Sequence, residues 1–272
     1  MTMTSPAAAL GEPMTTVERA RFERDGFLLL PGVLDPDEVD RYRRGLDAVH
    51  PGGVLHELGA VAACPTVVDL VDHPAVLGRV SSVLGWNLHV YHSHLDVHPP
   101  VPADQPERFV WHQDGGRQNL DLETDPRARL SVKVAWWLSD LSEAGRGNLR
   151  VIPGSHRRNT LDRPPNPDVP WPEPAGAVDV LAEPGDALLF DRRLWHARSD
   201  NHSAVVRQAI FVAYTYRWIV SRDPVADDDP TMTPIQRQLL GLDDHEGDDA
   251  WGRFPERVPL YEALTSTVGQ ST

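Results

Sequence analysis

Hydrophobic residues recur along this chain with two different periods, and the change between them divides it. Over the first third the spacing is helical. Thr15-Thr16-Val17-Glu18 fits a capping box, with Thr15 as N-cap and Glu18 reaching back, and predicts a short helix ending at Gly26. Phe27-Leu28-Leu29-Leu30 is an apolar run closed by Pro31-Gly32 and reads as a buried strand. Asp35-Pro36-Asp37-Glu38 opens a second helix, on which Val39, Tyr42, Leu46 and Val49 are expected to face the core. A third helix is expected over 74–84, ended by Gly85.

From Asn87 the period drops to two. In 88–98 the even positions include His92, His94, Asp96 and His98, while the odd ones are mixed to apolar. That polar face points either into a reactive interior or into water, and the four histidines of this stretch could also suggest a separate metal site. In 131–138 the even positions Val132, Val134, Trp136 and Leu138 are all apolar, so Ser131 and Lys133 share the other face. Short strands are expected at 149–152, 178–181 and 187–190, and a long one at 205–218 with Arg207, Ala209, Phe211 and Ala213 on one face. A helix over 234–240 is capped by Thr233. With no repeat and no interdomain linker, the reading is one domain over 15–220, preceded by a disordered 1–14 and followed by an acidic extension, 221–272, packed on the same domain.

Composition narrows the partners. The chain has 272 residues and a formal net charge of −14, with no basic tract interleaved with aromatics, which argues against nucleic acid and against an anionic membrane. No apolar run approaches the ~20 residues of a membrane span, and 1–13 lacks the charged and apolar regions of a signal peptide. A single cysteine, Cys64, excludes an internal disulfide and fits a reducing, cytoplasmic setting. Lys133 is the only lysine among 26 basic Lys and Arg residues. A charged lysine in an apolar strand needs an anion or water, so Lys133 is expected to meet a 2-oxo acid, an acidic substrate group or a nearby Asp, unless its strand is an edge open to solvent.

The candidate chemistry lies in Trp111-His112-Gln113-Asp114-Gly115-Gly116. In an extended segment His112 and Asp114 point the same way. A second imidazole, His196, follows far along the chain, and Arg207 comes eleven residues after it. Two His and one Asp can occupy one face of a six-coordinate Fe(II) and leave positions for a bidentate 2-oxo acid and dioxygen. The planar fork of Arg207 suits the far carboxylate of 2-oxoglutarate; its structural alternative is an interior pair with an Asp such as Asp186. The loop 115–127 directly follows two ligands and is expected to form part of the substrate entrance, with Arg117 and Gln118 as substrate-binding candidates.

Arg24-Asp25-Gly26-Phe27-Leu28-Leu29-Leu30-Pro31-Gly32, Trp111-His112-Gln113-Asp114, Asn148-Leu149-Arg150-Val151-Ile152-Pro153-Gly154-Ser155-His156, and His196 through Asn201-x-Ser203 to Arg207 together resemble the phytanoyl-CoA dioxygenase family of Fe(II)/2-oxoglutarate oxygenases. The resemblance covers about 15–220. It implies a mainly β fold with flanking helices around a double-stranded β-helix (jelly-roll, cupin-like) core. It also implies iron on His112, Asp114 and His196, and 2-oxoglutarate on Arg207. In ectoine-hydroxylase-like members, a polar residue on the strand before His-x-Asp and a Ser on the strand after it also touch the cosubstrate. By position these are His92 or Asp96, and Ser131, although amide side chains would be expected at the first. Related halogenases replace the carboxylate ligand by a small residue, so Asp114 favours hydroxylation or another C–H oxidation. The expected substrate is a small metabolite, in secondary metabolism, and the expected assembly a monomer or homodimer. The alternatives are an acyl-CoA hydroxylase and a cupin-like metal binder without oxygenase activity, which would have no need of Arg207.

Overall fold

The computed structural model describes residues 10–50, 52–104, 109–162, 173–224, 229–242 and 258–268. Ten strands run among them: β1 (Phe27–Leu30), β2 (Leu55–Leu58), β3 (Leu88–His98), β4 (Phe109–His112), β5 (Ser131–Trp137), β6 (Leu149–Val151), β7 (Val178–Asp179), β8 (Ala187–Asp191), β9 (His196–Arg198) and β10 (Arg207–Tyr216). They form a six-stranded sheet, β1-β8-β5-β10-β3-β2, and a four-stranded sheet, β4-β9-β6-β7, with antiparallel pairing throughout. Two antiparallel sheets built from non-consecutive strands are the jelly-roll form of the double-stranded β-helix.

Alternation sorts the side chains of the large sheet into two layers. Val132, Val134 and Trp136 of β5, Ile210 and Val212 of β10 and Leu189 of β8 pack with Phe22, Tyr42, Leu46, Leu77 and Val80 from the helices. The other face carries Ala135, Trp137, Leu188, Phe190, Ala209 and Phe211, which meet Leu149, Val151 and Leu194. The helices therefore cover one face of the sheet, and the other face is left for the interior between the sheets. Both predicted helix starts carry full capping boxes, Thr15 with Glu18 and Asp35 with Glu38. The first helix (Thr16–Asp25) stops at Gly26, whose φ of 85° is left-handed.

The pattern and the structure part at several places. Strand β3 changes phase at a bulge, where the pairing with β10 passes from His92↔Ala213 to Val90↔Tyr214 and skips Tyr91. Before the bulge, Leu88 and Val90 face the helices; after it, Leu95 and Val97 do. Val49 is 43% exposed, because the helix Pro36–Val49 ends there and turns it away from the core. Leu10 and Met14, expected to be disordered, are buried in the core cluster, while 1–9 lie outside the described residues. The segment between the second and third predicted helices contributes β2 and two single helical turns, Ala60–Ala63 and Val68–Val71. Beyond β10, Leu239, Leu260 and Ala263 join the same core cluster. Gln238 donates to the carbonyls of Trp86 and Leu88 at 3.1 and 3.3 Å.

Candidate active site

His112 ends β4 and His196 begins β9, and the antiparallel register sets them directly opposite each other, with ring centroids 4.2 Å apart. Each imidazole places Nδ1 2.9 Å from a backbone carbonyl two residues earlier, Val110 for His112 and Leu194 for His196. Those contacts fix the tautomer that donates from Nδ1 and leaves Nε2 as a lone-pair donor. The two Nε2 atoms lie 3.9 and 4.0 Å from Oδ1 of Asp114. Asp114 itself sits just past β4, where its N–H donates to the Arg192 carbonyl at 2.9 Å and its carbonyl accepts from Arg192 Nη1 at 3.1 Å. One ligand atom from each of the three residues lies within 4.8 Å of the others, so together they could hold a metal ion.

Electrostatics favour that role. Burial pushes the His196 imidazole down to about 3, with His112 and Lys133 pushing the same way, so the ring stays neutral. Burial alone would raise Asp114. Lys133, His196 and His112 outweigh it and hold the carboxyl well below the usual carboxylate range. Two imidazole lone pairs and one carboxylate are the donor set that suits a divalent iron. Lys133 Nζ lies 2.7 Å from Asp114 Oδ2, leaving Oδ1 facing the imidazoles. Of the partners expected for this lysine, the structure supplies the nearby Asp.

A cavity of about 230 Å³ contains these groups; it is lined also by His92, Asp96, Arg207, Phe190 and Phe211. Arg207 is 1% exposed, and its Nη1 donates to Asp96 Oδ2 at 2.5 Å. Its interior partner is thus Asp96, on the neighbouring strand β3, and not Asp186, which instead caps the turns at Gly32 and Glu183. The Nε of Arg207 is buried without a hydrogen-bond partner, so one edge of the guanidinium is unsatisfied inside the cavity wall. An incoming carboxylate would satisfy it. His92 also lines the cavity, with Nδ1 3.5 Å from Asp223.

Three sequence candidates fall elsewhere. Ser131 shares the Lys133 face but lies at the strand start, buried against Tyr91, whose hydroxyl is 3.5 Å away, and does not line the cavity. Arg117 is exposed and pairs with Asp121 at 2.8 Å. Gln118 begins a helical turn, Gln118–Asp121. Neither lines the cavity, because the turn directs the loop's following residues, among them Asn119, Leu120 and Arg127, to a separate open cleft of about 1060 Å³. Conversely His56 and Arg198 line the cavity and are not named by the sequence reading, which carries His94 and His98 only as polar-face histidines of one strand. A signal existed for these two: His94-Leu95-Asp96-Val97-His98 repeats the His-x-Asp spacing of the main motif. His56 had none, since only the pairing of β2 with β3 brings it opposite Asp96.

A jelly roll with a His, Asp and His cluster between its sheets defines the class: a double-stranded β-helix with a candidate metal site. The family model of phytanoyl-CoA dioxygenase (PhyH) matches residues 22–209, and the chain belongs to that family of Fe(II)/2-oxoglutarate-dependent dioxygenases. An ectoine dioxygenase of Streptomyces coelicolor is 23% identical over 269 residues, covering 85% of this chain and 86% of the relative. Dioxygenase trt7 of Aspergillus terreus is 26% identical over 274 residues, covering 88% and 89%. Among solved structures, HygX from Streptomyces hygroscopicus with nickel and 2-oxoglutarate bound has a TM-score of 0.65 at 21% identity, covering 81% of this chain and 94% of HygX. The carbocyclase SnoK from nogalamycin biosynthesis has a TM-score of 0.59 at 23% identity, covering 83% and 98%. No helix among the described residues is long and apolar enough to cross a membrane.

Proposed function

We propose that His112, Asp114 and His196 hold Fe(II), that Arg207 anchors the distal carboxylate of 2-oxoglutarate, and that the enzyme oxidises a C–H bond of a small polar metabolite. The observation that carries this is the triad's geometry: both imidazoles tied through Nδ1, both Nε2 atoms turned to one carboxylate oxygen, in the cavity that also holds Arg207. Bound Fe(II), with 2-oxoglutarate and dioxygen, supplies an oxidant able to take hydrogen from an unactivated carbon.

The chain's own residues do the rest. Lys133 holds Oδ2 of Asp114, so that Oδ1 is presented to the metal. Asp96 holds Nη1 of Arg207 and leaves its Nε edge for the cosubstrate. Phe190 and Phe211 give the cavity an apolar wall. About 230 Å³ is below the usual range for a drug-sized ligand, so a substrate beside 2-oxoglutarate is compact or reaches in only with its reacting end. Imidazoles and Asp96 dominate the polar lining, and its basic groups Lys133 and Arg207 are already paired with carboxylates. That lining suits a polar metabolite better than the phosphates of an acyl-CoA. A role in secondary metabolism draws on the neighbours: HygX is seen with hygromycin B bound, and SnoK belongs to nogalamycin biosynthesis.

The test is succinate formation from 2-oxoglutarate by the Fe(II)-loaded protein against a metabolite panel that includes acyl-CoA thioesters. Acceleration by a polar metabolite, lost in Arg207→Ala, is the expected result. Acceleration confined to the thioesters overturns the substrate reading, and unchanged 2-oxoglutarate binding in Arg207→Ala overturns the anchor.

A further inference from the structure

The cavity that holds the His112–Asp114–His196 triad is lined by a second candidate ligand set. In the β2–β3 pairing His56 lies directly across from Asp96, and His94, two residues earlier on β3, points to the same face. The bulge at Tyr91 gives that face to the cavity, so His92, His94, Asp96 and His98 all line it. One ligand atom each from His56, His94 and Asp96 lies within 4.8 Å of the others, and His56 Nδ1 is 3.2 Å from Asp96 Oδ1. Ligand atoms around a tetrahedral zinc with bonds of about 2.0–2.1 Å are roughly 3.4 Å apart, so this pair already stands at the required spacing.

His94 supplies the independent observation. It is 6% exposed, its ring is stacked on Phe211 at 4.4 Å, and its Nδ1 is buried with no hydrogen-bond partner. A buried imidazole nitrogen left unsatisfied costs free energy that a bound cation would recover. Burial also holds this imidazole well below its ordinary value, with Lys133 adding to the effect, so it offers a lone pair and not a proton. On the carboxylate side, Oδ2 of Asp96 is fixed by Arg207 while Oδ1 is turned to the imidazoles. An outer partner fixing the second oxygen is the arrangement that orients carboxylate ligands.

We propose that His56, His94 and Asp96 form a second metal site, separate from the His112–Asp114–His196 triad, that takes a borderline divalent cation of the Zn(II) or Ni(II) class. Two imidazoles and a carboxylate select these ions over Mg(II) or Ca(II), which prefer all-oxygen shells. Three protein ligands leave a fourth position open to water or to a substrate atom. The His56 side chain is half exposed, so the site has solvent access. The site does not depend on the proposed role of the iron triad.

The test is zinc stoichiometry of the metal-stripped full chain by titration calorimetry and equilibrium dialysis. The wild type is expected to bind two equivalents and His112→Ala to keep one. His56→Ala, which alters only a half-exposed side chain, and His94→Phe, which preserves the stacked ring, are each expected to lose one equivalent or weaken it at least tenfold while retaining the wild-type circular dichroism spectrum. A single wild-type equivalent that is lost in His112→Ala and survives in His56→Ala and His94→Phe overturns the proposal. So does retention of two undiminished equivalents in both His56→Ala and His94→Phe, which would place the second zinc elsewhere.

Discussion

The two oxygens of Asp114 face different partners: Oδ2 meets Lys133 at 2.7 Å, and Oδ1 faces the two imidazoles. Removing any ligand, as in His112→Ala, Asp114→Ala or His196→Ala, is expected to abolish Fe(II)-dependent turnover and, in a His94→Phe background that lacks the second site, to weaken Ni(II) binding by calorimetry well beyond the roughly 10–100-fold typical of outer-shell changes. Near-normal Ni(II) affinity in any of the three would remove that residue from the site. Lys133→Met takes away the cation and leaves a largely buried carboxylate without it, at a cost of about 1–3 kcal/mol. The metal-free variant should therefore melt below wild type. Because a bound divalent ion replaces the missing charge, Ni(II) should raise its Tm by more than it raises that of the wild type; an equal rise would show that Lys133 and the metal do not act on the same carboxylate. Arg207→Lys keeps a charge for Asp96 but has no fork. It is expected to weaken 2-oxoglutarate binding by about 2 kcal/mol or more, roughly 30-fold, with little change in Tm, whereas Arg207→Ala loses both.

At the scale of elements, the turn after β4 delivers Asp114. Gly115 has φ +122°, and a Cβ there would lie 2.1 Å from Nη1 of Arg192, the atom that also donates to the Asp114 carbonyl. Gly115→Ala should thus strain the backbone, displace Arg192 and lower Ni(II) affinity although no ligand is changed; unaltered affinity would show that Arg192 does not hold the turn. The helix Pro36–Val49 depends on its cap in an independent way. Asp35→Ala removes the acceptor for the Glu38 N–H and should cost about 0.5–2 kcal/mol in denaturant melts, with metal binding unchanged. Much of this level was legible in the sequence, since a capping box is a local device whose partners are three residues apart. The bulge at Tyr91 was not. It shows only in the pairing with β10, and it decides which side chains of β3 see the cavity.

Across the whole molecule, Asp191 at the end of β8 joins distant segments. Arg193 donates to it from Nε and Nη2, and Arg129 donates from Nε at 2.6 Å while gripping Glu23 of the first helix with both Nη atoms. Burial would raise the Asp191 carboxyl, but Arg193 and Arg129 outweigh it and hold it below the usual value. A lowered folded-state pKa adds stability that is fully present above the unfolded value, near 3.9, and is lost as pH falls through the folded one. The acid limb of the wild-type stability curve should accordingly be steep below about pH 4. Asp191→Asn should be less stable at pH 7 and lose less between pH 5 and pH 3; parallel curves would place the acid sensitivity on other carboxylates.

The class of fold followed from the family resemblance the motifs carry, while the order His-x-Asp, distant His, Arg, together with the alternation of β5 and β10, was enough to nominate the triad, Arg207 and the inward face of Lys133. These are properties of period and spacing, and side-chain direction in a strand follows from them. What Arg207 and Lys133 touch was decided only by tertiary structure. Asp96 reaches Arg207 because β3 and β10 are neighbours, and Asp114 reaches Lys133 because the turn after β4 folds over β5. The placement of Arg117 and Gln118 was likewise settled by the helical turn after Gly116, which no spacing announced. His56 came to Asp96 through a four-residue strand with no alternation of its own to read, and the pairing of charges and imidazoles across strands far apart in sequence is set by register, which a single chain of residues does not display.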